Sequence, residues 1–314
     1  MSKAKKYFSD LGSILKKTGA AWWASDPFRQ SSVVAYYGVF SIPALLVIIV
    51  TCVGFVFGRD AVQGHIASQI SSTMGADTAK QVQDMIAKAG AQKNSIIATI
   101  ISIVTLILGA TGVFTQLQTS LDQIWEVKVT AKKKWLKSLK DQLFSFGLIL
   151  SIGFLMLVSL ILTAGLTVFG GWIKAHLPDF MLVVFRLINF AISFGVLSVL
   201  FAMMFKILPD AKIQWKDVWI GAMATTLLFI LGKFGLGIYF AKASPGSTYG
   251  AAGSIILIML WVSYSCMILF FGAEFTKQFA VFHHRTIEPT KDAQLILDPE
   301  KEEVKSKKEA VAGT

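Results

Sequence analysis

The chain has 314 residues, of which 54% are hydrophobic and 16% charged, whereas a soluble domain carries about 25% charged residues. That deficit excludes an ordinary soluble domain, and 25 Gly with 7 Pro exclude a collagen-like or low-complexity chain. Cys52 and Cys266 stand far apart in apolar runs, which is neither a disulfide framework nor metal-ligand spacing, and no cofactor is expected. The composition fits an all-α polytopic membrane bundle.

Residues 1–31 form a basic segment. Phe8, Leu11, Leu15 and Trp22 recur at helical spacing with Lys5 and Lys16 elsewhere, the pattern of an amphipathic helix lying in the membrane interface. Ser25, Asp26 and Pro27 then predict a turn.

A helix crosses the hydrocarbon layer with about 20 apolar residues. Residues 32–282 contain six such runs, at about 32–58, 95–117, 143–172, 180–205, 218–240 and 252–277. Unbroken apolar runs predict helices, since barrel strands alternate. The first run is too long, and starts too late, for a cleaved signal peptide, so the whole chain is read as mature protein.

The one long external loop, 59–94, places Val62, Ile66 and Ile70 in one register and Val82, Met85, Ile86 and Ala89 in another, with Gly75, Ala76 and Asp77 between. Two short amphipathic helices capping the bundle are expected there. After Phe282 the composition turns polar and mixed in charge, which predicts a disordered tail over 283–314.

Twenty-two of the thirty Lys and Arg residues fall in the N-terminal segment, the second and fourth loops and the tail, and six fall on the other side. Positive loops resist translocation, so both termini are expected in the cytoplasm. The net charge of +11 then reflects topology and attraction to anionic headgroups of membrane lipids, the expected partners. It calls for no nucleic-acid partner. Oligomeric state is not legible, because small residues on spans serve contacts within and between chains alike.

Five stretches together carry a family resemblance: AYYGVFSIPALL (Ala35 to Leu46), LDQIWEVK (Leu121 to Lys128), ILPDAKIQWKDVWIGA (Ile207 to Ala222), YGAAGS (Tyr249 to Ser254) and LWVSYSCMILFFGAEF (Leu260 to Phe275). In this order the chain resembles the YihY/BrkB family of bacterial inner-membrane proteins. The resemblance implies six spans in the bacterial inner membrane. Labels attached to the family include ribonuclease BN, serum-resistance virulence factor and exporter of lipid A precursors.

The ribonuclease label finds no support in the residues. Metal-dependent hydrolysis needs clustered His and Asp, and the four His (His65, His176, His283, His284) match no HExxH-type, GxSxG or P-loop pattern. No enzyme activity and no catalytic residue are expected.

Charges inside a bilayer cost about 2.5–3.5 kcal/mol on insertion scales and mark functional candidates. Arg186 and Lys233 lie at similar depth in spans four and five, which makes them a candidate substrate site for an anion such as a lipid phosphate if both face inward. The competing expectation is that their long stems snorkel to headgroups. Gly232, Gly235 and Gly237 favour close helix approach beside Lys233.

Glu274 lies near the inner end of span six. It is expected either to couple protons or to form a structural ion pair with Lys128, Lys212 or Lys216, with Asp122 and Asp210 on the same side. Pro43, and Gly250 and Gly253 in the turn before span six, are candidate hinges. Pro43 leaves a backbone carbonyl without its amide partner, which Ser41 is positioned to satisfy.

Two functions remain open. One is a transporter or exporter of an anionic or amphipathic molecule, a lipid included. The other is a non-transporting scaffold that binds anionic lipids or protein partners.

Overall fold

A computed structural model of the chain describes residues 3–74, 79–80, 83–84, 96–129, 179–243, 253–291 and 293–296. The helices are α1 (Lys3–Ala24), α2 (Pro27–Phe57), α3 (Arg59–Met74), α4 (Ile96–Ile124), α5 (Asp179–Ile207), α6 (Trp215–Ala243) and α7 (Gly253–Phe282). Four strands of two or three residues accompany them: β1 (Val127–Val129), β2 (Ala211–Lys212), β3 (Glu288–Pro289) and β4 (Ala293–Leu295).

The helices match the apolar runs within a few residues. Pro27 opens α2, where its missing amide hydrogen costs nothing, and Ser25 and Asp26 make the predicted turn before it. The helix runs on through Pro43 to Phe57 without a break, and Ser41 Oγ donates to Gly38 O at 3.3 Å. The expected rescue of the carbonyl freed by Pro43, that of Val39, is not what Ser41 does. Helix α3 covers the first half of the expected external pair, whereas most of its second half, the whole of span 143–172, and Gly250 lie outside the described residues. Gly253 is the first residue of α7.

Among the described residues, three stretches are long and apolar enough to cross a membrane: Phe190–Ile207, Trp215–Phe240 and Ile255–Phe282. Their outer faces carry exposed large side chains, including Phe190, Leu227, Leu231, Phe234, Ile238 and Leu260. Single exposed apolar residues are ordinary, but continuous faces of them require an apolar surrounding.

The chain divides into two compact units. One comprises Met1–Ala21, Gln118–Ala222 and Ala273–Thr314, the other Trp22–Leu117 and Met223–Gly272. In the second unit the helices meet at small residues, as membrane helices do. Gly38 lies against Val262, and a Cβ at Gly112 would land on the Tyr37 ring. Trp22 Nε1 donates to Met267 O at 3.2 Å, and its ring meets Phe271 edge-on.

The first unit contains all four strands, in two antiparallel pairs. Strand β1 pairs with β4 in the register Val127↔Leu295, Lys128↔Gln294 and Val129↔Ala293. Strand β2 pairs with β3 through Ala211↔Pro289 and Lys212↔Glu288. The tail expectation is therefore corrected over 283–291 and 293–296: these residues form a strap whose strands pair with two earlier loops. Residues 297–314 lie outside the described residues.

Three helix ends place a non-glycine residue in the left-handed region, at Asp26, Glu126 and His284, each with φ 54°. After α7, Arg285 N bonds Ala280 O at 3.0 Å and His284 N bonds Val281 O at 3.0 Å. That pattern closes a helix C-terminus, and glycine is its usual occupant.

Candidate functional site

The chemistry-bearing residues of the first unit gather where α4 ends, the α5–α6 loop turns and the strap crosses. Asp122, in the last turn of α4, is 8% exposed and its Oδ1 accepts the backbone N–H of Asp210 at 2.6 Å. Asp210 is equally buried. Its Oδ2 accepts from Gln118 Nε2 at 3.4 Å, and its backbone carbonyl accepts from Thr290 N at 2.9 Å. The stretches LDQIWEVK and ILPDAKIQW are thus joined through Asp122, and the strap ties both: Ile296 N bonds Glu126 O at 2.8 Å. Lys206 closes the α5–α6 loop by donating to Ile213 O and lying 5.6 Å over the Trp215 ring.

Glu274 on α7 is 2% exposed. Gln278 Nε2 donates to its Oε1 at 2.8 Å, and Lys277 Nζ stands 4.0 Å away. Lys277 also pairs with Glu126 at 3.0 Å. The expected partners for Glu274 were Lys128, Lys212 and Lys216. Its hydrogen bond and ion pair instead come from its own helix one turn on, and Lys212 pairs with Glu288 of the strap at 3.4 Å.

Two further features escaped the sequence. Asp217, 1% exposed, pairs with Arg285 just past the end of α7. An acidic residue in the first turn of α6 and a cation just beyond α7 are each ordinary, so only their pairing is informative. Trp125 is 1% exposed and its indole Nε1–H has no hydrogen-bond partner among the described residues.

Of the candidate two-cation site, the side chain of Arg186 lies outside the described residues. Lys233 is exposed, on a surface with Leu231 (63% exposed) and Phe234 (73% exposed). Arg186 lies on α5 in the first unit and Lys233 on α6 in the second. Of the glycines beside Lys233, Gly232 approaches Tyr264 and Ile268 closely, whereas Gly235 faces open space. Close helix approach therefore occurs at Gly232 without turning Lys233 inward. Among the described residues, no three His, Cys, Asp or Glu side chains group to hold a metal ion.

Long apolar helices with exposed apolar faces and carboxylates confined to their buried sides define an integral membrane protein of helical type. The chain belongs to the virulence factor BrkB family, whose profile matches residues 20–295. It is 23% identical over 306 residues to a UPF0761 membrane protein of Pseudoalteromonas translucida, covering 93% of this chain and 96% of that one. A UPF0761 membrane protein of Pseudoalteromonas atlantica is 24% identical over 255 residues, 80% of each chain. One from Tolumonas auensis is 27% identical over 186 residues, 59% of this chain and 58% of the relative. No solved structure matches the chain.

Proposed function

We propose that this membrane protein is a transporter or exporter of an amphipathic or anionic molecule, with six spans in the bacterial inner membrane and both termini in the cytoplasm. The observation that carries this reading is the burial of Glu274. A carboxylate 2% exposed in an apolar helix is costly, and membrane proteins keep such groups chiefly on substrate, ion or proton paths. Its contacts with Gln278 and Lys277 give it two hydrogen-bonding or charge states to exchange between. Asp122 and Asp210 hold the loop framework around that end of the bundle.

The test is reconstitution. Proteoliposomes containing the protein and a fluorescent phosphatidylglycerol analogue should move the probe between leaflets faster than empty liposomes do. Glu274→Gln should slow this at least about tenfold, the effect of roughly 1.4 kcal/mol on a barrier. Wild-type rates equal to those of empty liposomes would overturn the reading for this probe class.

A second reading, the lipid-binding scaffold, is favoured by one observation: Lys233 sits on the exposed surface, from which its stem reaches headgroups. Replacing both Arg186 and Lys233 with Gln separates the two. Lost transport with normal membrane insertion assigns them to the substrate path, and full transport assigns them to the lipid boundary.

A further inference from the structure

Helix α1 and the end of α7 leave between them a groove of about 470 Å³, within the size range of small-molecule sites. Its floor is apolar, made by Ile14 of α1 and by Val281 and Phe282 of α7. Its rim is polar and of both signs. Lys17 and His284 are donors, and Asp10 and Gln278 are the facing acceptors. Gln278 Nε2 is already committed to Glu274, so its amide oxygen is the part left for a ligand.

The depth of this groove follows from α7. Its apolar run ends at Phe282, and His283 and His284 follow directly, so the groove lies where the helix leaves the hydrocarbon for the headgroup layer. On α1, Leu11 and Leu15 are exposed beside the buried Ile14 and Thr18. That helix therefore presents a second apolar strip next to the groove, as an interfacial helix does.

We propose that the groove binds one phospholipid whose headgroup carries a phosphate beside a primary ammonium. Lys17 and His284 hold the phosphate oxygens by charge-assisted hydrogen bonds. Asp10 and the Gln278 amide oxygen accept from the ammonium, and the start of the acyl chains lies on Ile14, Val281 and Phe282. A purely anionic headgroup would meet Asp10 as a like charge, and a quaternary ammonium has no N–H to give Asp10 or Gln278. The mixed rim thus selects the aminophospholipid from the lipids that share its phosphate. The site is one of equilibrium binding and does not depend on the transport reading.

The test is native mass spectrometry of the full chain released from nanodiscs holding equal parts phosphatidylethanolamine, phosphatidylcholine and phosphatidylglycerol. Wild type should retain one phosphatidylethanolamine at least about tenfold over the other two. Asp10→Asn should erase the preference over phosphatidylglycerol, and Lys17→Gln should lower retention of all three, while Lys17→Arg restores it. A diazirine-bearing phosphatidylethanolamine should label peptides of α1 and of α7 around Val281 in wild type, a readout that needs no variant to fold. Lipids retained in the proportion supplied, preferred phosphatidylglycerol, or labelling confined to the Leu231–Phe234 surface would each overturn the proposal.

Discussion

Asp217 shows how much one side chain can carry. It is 1% exposed, and Arg285 neutralises it from three residues past the end of α7. Removing one partner of a buried pair leaves an uncompensated charge, at a cost of about 3–5 kcal/mol. Arg285→Gln is therefore expected to lower the thermal midpoint of the purified protein markedly. The Asp217→Asn, Arg285→Gln double variant should regain much of that loss, because the orphaned charge is gone; a double variant no more stable than the single would contradict the pairing. The sequence made Asp122, Asp210 and Glu274 visible as carboxylates at one end of apolar runs. It could not assign their partners, because Asp210 reaches Asp122 across 88 positions through a backbone amide, a contact no local pattern encodes. Lys277, the cation nearest Glu274, went unnoticed because its position at the edge of an apolar run resembles an ordinary topology charge.

The helices themselves were legible because a bilayer imposes their length. Runs predicted at 180–205 and 218–240 appear as Asp179–Ile207 and Trp215–Ala243, the extra ends each carrying a charged residue that lowers their hydropathy. How the helices touch was less legible, since glycine in a span marks either close approach or nothing. Helices α6 and α7 approach through a reciprocal arrangement: a Cβ on Gly221 would land on Thr276 Oγ1, and one on Gly272 on Thr225 Oγ1. Each helix offers a glycine to the other's threonine, four residues from its own. Gly272→Ala should destabilise by about 1–3 kcal/mol through overpacking. Gly235→Ala, where a Cβ meets nothing, should be neutral or raise helix stability by up to about 1 kcal/mol. Thermal denaturation in detergent compares the two, and equal effects would mean that the α6–α7 approach is looser than described.

At the scale of the molecule, the strap is what sequence reading missed outright. Its strands have two or three residues each, too few for alternation to register, and their partners lie far back in the chain. Composition alone placed the segment with disordered tails, whereas its backbone groups are paired with β1 and β2 and its Arg285 and Glu288 with Asp217 and Lys212. Truncation after Arg285 removes both strand pairs. It should leave membrane insertion intact but expose the loop 207–214 to protease and lower the melting temperature by several degrees. An unchanged digestion pattern would show that the ladders add little to the first unit.

The strap also sets an order of events during synthesis. Val127 and its partner Leu295 are 168 positions apart, which at about 5–20 residues per second separates their translation by roughly 10–30 seconds. For that interval the apolar helices between them can already enter the bilayer, while Glu126, Asp210 and Asp217 wait for their strap partners Ile296, Thr290 and Arg285. The first unit therefore completes its strand pairing only once Leu295 has left the ribosome. A chain interrupted before Glu288 would hold its apolar helices yet lack both strand pairs, a form that quality-control proteases can distinguish from the finished protein.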